Sequence, residues 1–137
     1  MSFDPAALAR VAAIVAAVLF AGLVLFQIAL ALGAPWGRAA YGGQSAELSA
    51  QLRLTSAVAA VVWAGVALAV LRRAGFDIWA PVPSSWLPVV VWIVVVLQAV
   101  AIVMNAITPS ALERAIWLPV AIVLFGSTLT VALASPR

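Results

Sequence analysis

The 137-residue chain contains no cysteine and no histidine, and its seven basic residues are all arginines. Lack of cysteine excludes a disulfide, a thiolate nucleophile and a cysteine metal site. Lack of histidine removes the commonest transition-metal and haem ligand and the commonest general base. Lack of lysine removes Schiff-base chemistry. No metal and no cofactor is therefore expected. Charge is also scarce: 8% of residues are charged, against about a quarter in a soluble domain. The acids are Asp4, Glu47, Asp77 and Glu113, and none lies inside a long apolar run. Transport coupled through a membrane-buried carboxylate is disfavoured on that ground.

What fills the chain is hydrocarbon: 67% of residues are hydrophobic and the mean hydropathy is +1.24. Four apolar runs account for it, Ala6 to Leu32, Leu54 to Leu71, Leu87 to Ile107 and Trp117 to Ala134. Roughly 20 apolar residues cross a ~30 Å hydrocarbon core as a helix, and tilt or local thinning accommodates the shorter runs. Runs this long without alternation are helices rather than barrel strands. The expected fold is an all-α membrane protein, a four-transmembrane-helix bundle forming one domain over residues 1–137. The first run reads as a retained helix, because it exceeds the ~7–15 residues of a signal-peptide core and its start is nearly neutral, with Asp4 against Arg10.

The net charge of +3 does not point to nucleic acid, since the arginines are scattered over the run ends with no basic stripe. They read instead as topology determinants and lipid-phosphate contacts. Arg10, Arg72, Arg73 and Arg137 share one side; Arg38, Arg53 and Arg114 share the other. The first side has the excess and a bare Arg72-Arg73 doublet, so both termini are assigned to the cytoplasmic side of the membrane.

Local signals mark the helix ends. Asp4-Pro5 is an N-cap with proline at the first helical position. Ser49 caps the second run; Gly33 with Pro35 ends the first and Gly75 the second. Ser110-x-x-Glu113 is a capping-box pattern, and Pro119 is a candidate kink. Ala17/Ala21 and Gly65/Ala69 have the spacing of small-residue helix contacts. Trp79 and Trp86 suit an interfacial belt.

The segment GAPWGRAAYGG, residues 33–43, places four glycines, Trp36, Arg38 and Tyr41 between two apolar runs. Polar residues gather towards the same end. Gln27 is near the end of the first run, Asn105 near the end of the third, and Gln98 two helical turns before Asn105 on one face. Arg53, Glu113, Arg114 and Trp117 stand at the adjoining mouths. Each has a plain structural reading beside a ligand-binding one. Gln27, Gln98 and Asn105 serve as interhelical hydrogen-bond glue. Glu113 serves as a cap, Arg114 pairs with Glu47 or a phosphate, and Trp36 and Trp117 join the interfacial belt. Trp63, mid-run, needs a partner for its indole N–H, for which Gln27 or Gln98 is placed. As a group, Gln27, Trp36, Arg38, Tyr41, Arg53, Gln98, Asn105, Glu113, Arg114 and Trp117 are the candidate ligand-binding residues, with the glycine-rich loop as lid.

GAPWG followed by YGG, LR and a downstream ER..W.P resembles a pattern of small uncharacterised four-helix integral membrane proteins of high-GC bacteria. The resemblance covers most of the chain and implies no substrate and no catalytic residue. The expected function is a binding or accessory protein in the bilayer. Its outward-facing polar pocket would take a lipid, a small hydrophobic molecule or a partner subunit, including a homo-oligomer or larger membrane complex. The alternative is a small oligomeric transporter or channel. A membrane enzyme ranks below both, since only Glu47, Asp77 and Glu113 offer acid–base chemistry.

Overall fold

The computed structural model describes residues 4–136, so Arg137, counted above for orientation, lies outside the described residues. Four helices form: α1 (Pro5–Ala31), α2 (Ala50–Arg73), α3 (Leu87–Ile107) and α4 (Ala111–Ala134). All four are long and apolar enough to cross a membrane, and no strand occurs among the described residues. At 1.5 Å per residue they span about 30–40 Å. The chain is a multi-pass membrane protein with a four-helix bundle. Its large apolar side chains remain outside: Val18, Val61, Val96 and Leu133 are each at least 60% exposed, which a bilayer tolerates and water does not.

The caps follow the sequence. Asp4 accepts from Ala6 N at 2.9 Å, and Ser49 Oγ from Leu52 N at 3.3 Å. At the end of α1, Gly33 takes φ +97°, with Gly33 N donating to Leu30 O and Ala34 N to Ala29 O. Gly75 repeats this at the end of α2 with φ +90°, Gly75 N on Arg72 O and Phe76 N on Leu71 O. Both are Schellman stops, which need a left-handed residue that glycine supplies without steric cost. Two boundaries differ from expectation. Helix α2 begins at Ala50 and α4 at Ala111, because their polar first turns carry the caps even though hydropathy rises only later. Pro119 lies inside α4, which continues through it.

The helices surround the bundle in chain order, α1 packing on α2 and α4, and α3 packing closely on α4 and more sparsely on α2. The half nearer the termini is solid. Ala9, Ala13 and Ala16 are fully buried on α1 and let its neighbours approach, and Val70, Val91, Val94, Leu124 and Val131 fill the space. This stripe, not Ala17/Ala21, is the close-packing face; Ala21 is exposed. Gly65 does mark a close approach, since an added Cβ there would lie 3.1 Å from Pro81 Cγ. Arg10 lies 4.5 Å above the Phe76 ring, tying α1 to the α2–α3 connection.

Candidate functional site

The opposite half is held open. A small cluster joining α2, α3 and the segment between them (Leu68, Ala69, Ala80, Leu87, Val90) lies towards the α2–α3 connection. Leu97 is two turns beyond Val90 on the same stripe of α3, yet it is 47% exposed. The sparse packing of α3 on α2 leaves Leu97 uncovered. Between them and α1 and α4 lies a cavity of about 450 Å³, lined by Leu23, Phe26, Gln27, Ala39, Ala40, Tyr41, Trp63, Leu97, Gln98, Val100, Ala101, Asn105, Glu113, Trp117, Val120, Ala121 and Leu124. Phe20 stacks on Trp63 with centroids 5.4 Å apart at 15°, making a floor of aromatic rings. Half-exposed Leu97 and Val100 border the cavity, so it opens sideways between α2 and α3 onto the apolar surface.

Its roof is the glycine-rich loop, folded into two 3-10 turns, Gly37–Ala39 and Tyr41–Gly43. Helix α4 holds that roof down. Trp117 Nε1 donates to Ala39 O at 2.8 Å, Ser110 Oγ donates to Arg38 O at 2.7 Å, and Glu113 Oε2 accepts from Gly42 N at 3.1 Å. Gly43, with φ +68°, sits so close that an added Cβ would be 2.6 Å from Ser110 Cβ. A glycine is required at that contact both for the backbone angle and for the space. Tyr41 adopts φ +51°, an uncommon angle for a bulky residue. Its hydroxyl lies 2.8 Å from the fully buried Ser56 Oγ and donates to Leu52 O at 3.4 Å, which fixes the ring against α2.

Of the ten sequence candidates, Gln27, Tyr41, Gln98, Asn105, Glu113 and Trp117 meet at the cavity. The other four stand outside it. Trp36 lies parallel to Phe26 at 6.3 Å and is half-exposed. Arg53 Nε donates to Ala31 O at 3.0 Å, capping a carbonyl that α1 leaves free. Arg38 donates to Gly43 O at 3.4 Å and Arg114 to Thr108 O at 2.8 Å. These arginines brace backbone carbonyls; neither Glu47 nor Glu113 is their partner. A guanidinium beside an open carbonyl at a chain turn satisfies it without ordering a second long side chain.

Three local expectations are replaced. Ser110 Oγ accepts from Glu113 N at 3.1 Å, but the reciprocal arm of the capping box is absent. Glu113 Oε2 instead takes Gly42 N and, at 2.6 Å, Thr108 Oγ1, while Ser110 N donates to Thr108 Oγ1 at 3.4 Å. Trp117 is not a belt residue: its N–H is on Ala39 O and its ring lies 4.8 Å from Phe26. The amides are not interhelical glue among the described residues. Asn105 Nδ2 donates to Ala101 O of its own helix at 2.8 Å, Gln27 Oε1 is buried without a partner, and Gln98, 3% exposed, forms no hydrogen bond there. Neither glutamine partners the Trp63 indole. Sequence reasoning passed over Thr108, Ser56 and Phe26. Thr108 had a weak signal, standing two residues before the α4 cap; Ser56 and Phe26 are ordinary helix residues whose role comes from what faces them.

The lining thus combines aromatic rings, aliphatic side chains and polar groups with unused hydrogen-bonding capacity. No cluster of three or more acidic residues able to hold a metal occurs among the described residues. Compared with protein-family models, with curated proteins and with solved structures, the chain matches none.

Proposed function

We propose that this chain is a membrane binding protein. Its cavity receives a small hydrophobic or amphipathic molecule from the bilayer through the gap between α2 and α3. The supporting observation is the cavity itself: about 450 Å³ beneath a tethered loop, with the unpartnered Gln27 Oε1 buried in its wall. That volume lies in the usual range for small-molecule sites, and an unpaired buried acceptor costs about 1–3 kcal/mol unless something supplies a donor. A through-channel fits less well, since the terminal half of the bundle is filled by Phe20, Val91, Val94, Leu124 and Val131. The site resides in a bacterial inner membrane with both termini cytoplasmic and the loop facing outward, as the arginine distribution and the resemblance to high-GC bacterial proteins suggest.

The test uses protein in phosphatidylcholine nanodiscs with a dodecanol carrying a diazirine near its hydroxyl. Photolysis and peptide mapping are expected to place adducts on cavity-lining residues. Ala101→Phe, which fills the cavity, is expected to suppress them without lowering thermal stability. Adducts spread evenly over lipid-facing positions such as Val61 and Val103, and unchanged in Ala101→Phe, would refute the proposal.

A further inference from the structure

The chemistry of the cavity wall narrows what it holds, an inference that rests on the binding reading above. Among the lining residues Glu113 carries the formal charge, and no arginine lines the cavity. Its Oε2 is occupied by Gly42 N and Thr108 Oγ1, whereas its Oε1 takes no hydrogen bond among the described residues. Asn105 commits one of its two amide N–H groups to Ala101 O, which leaves its Oδ1 as a free acceptor. Gln27 Oε1 is a third acceptor without a donor. Gln98, which also lines the cavity without a hydrogen bond, and the Gln27 amide nitrogen supply donors as well, so what singles out this wall is its one negative charge with no cation beside it.

Aromatic rings line the same cavity as these acceptors. Trp63 forms the floor, Trp117 and Phe26 one wall, and Tyr41 part of the roof. Indole and phenol faces carry negative electrostatic potential and attract ammonium groups within about 6 Å. A partly desolvated site strengthens that attraction and the Coulomb term from Glu113. An anionic head would meet the same carboxylate with no cation in the wall, and a neutral alcohol would gain a hydrogen bond but neither charge term. The opening towards the hydrocarbon at Leu97 and Val100 leaves room for an attached chain to extend into the bilayer.

We propose that the ligand class is a cationic amphiphile: an alkylammonium whose head sits beside Glu113 and Trp117, neighbours one turn apart on α4, and whose tail passes between α2 and α3. The experiment is competition against the photoreactive dodecanol in phosphatidylcholine nanodiscs. Dodecylammonium, dodecanol and dodecyl phosphate are compared at equal bilayer mole fraction. In the wild type, dodecylammonium is expected to halve cavity labelling at about tenfold lower mole fraction than dodecanol, with dodecyl phosphate weakest. In Glu113→Gln, which keeps an acceptor oxygen for Gly42 N, the advantage of the ammonium should fall to within about twofold. Equal competition by all three amphiphiles, or an advantage for the phosphate, overturns the cationic assignment while cavity binding stands. A wild-type ammonium advantage that Glu113→Gln retains in full also overturns it, since the charge would then arise elsewhere. Absence of cavity adducts from the dodecanol itself overturns the binding reading and this inference together. The wild-type ranking is decisive even if the variant does not fold.

Discussion

Replacing Gly43 by alanine should lift the roof, and replacing Gly42 should do so far less. The two glycines are neighbours with similar backbone angles, φ +79° at Gly42 and +68° at Gly43. An L-residue in that region costs roughly 1–2 kcal/mol, a term common to both variants. They differ in space. The new Cβ at position 42 would meet only Pro109 Cγ at 4.0 Å, whereas at position 43 it would lie 2.6 Å from Ser110 Cβ and Oγ and 2.8 Å from Arg38 O. Neither Ser110 nor the Arg38 carbonyl can withdraw freely, because they bond each other at 2.7 Å and Ser110 also caps α4. Overpacking of this kind adds about 1–3 kcal/mol. Gly42→Ala should therefore cost about 1–2 kcal/mol and Gly43→Ala about 2–5.

The native chain has no cysteine, so a single Ala40→Cys, at a buried lining position of the roof, reports local opening directly. A difference of 1–3 kcal/mol corresponds to thiol labelling about five- to 150-fold faster in Gly43→Ala than in Gly42→Ala, both in the Ala40→Cys background. Equal labelling rates in the two variants, or a faster rate for Gly42→Ala, would show that the close approach of the loop to Ser110 is not what seats it.

Two further outcomes follow from the same contacts. Gln44→Cys and Ser85→Cys, both at exposed positions, should react with a membrane-impermeant thiol reagent from opposite faces, Ser85→Cys from the cytoplasmic one; labelling from a single face would break the four-span topology. Glu113→Ala removes the acceptor used by Gly42 N and Thr108 Oγ1 and should lower stability in an SDS titration by about 1–3 kcal/mol. Glu113→Gln should lose under about 1 kcal/mol, and equal losses would return Glu113 to a residue without a tethering role.

The helix ends show how far local rules reach. Asp4, Ser49 and Ser110 cap as their positions suggest, and Gly33 and Gly75 close α1 and α2. These interactions join residues within a few positions of one another, so sequence order alone brings the partners together. The arginines show where such reasoning stops. Their positions suggest that Arg38, Arg53 and Arg114 grip a ligand, a phosphate or an acid, yet each donates to a carbonyl at a chain turn. Those carbonyls become partners only once the loop has taken its path. The capping box failed for the same reason: Gly42, 71 positions from Glu113, supplies the donor that Ser110 N was expected to supply.

Sequence by itself determined that the chain crosses a membrane four times, because long apolar runs must satisfy their backbone internally as helices. It also determined which end of the bundle is polar, since run ends and loops inherit their side from the order of crossings. Tertiary structure decided that Gln27, Gln98, Asn105, Glu113 and Trp117 border one cavity and that the glycine-rich loop roofs it. That outcome depends on how each helix is rotated and how closely it approaches its neighbours. Three buried alanines on α1 close the terminal half, while the Trp63, Phe26 and Trp117 rings and the sparse packing of α3 on α2 leave the loop half open. Hydropathy marks the polar ends of these helices but carries no such distinction within the apolar spans; only the size and facing of individual side chains does.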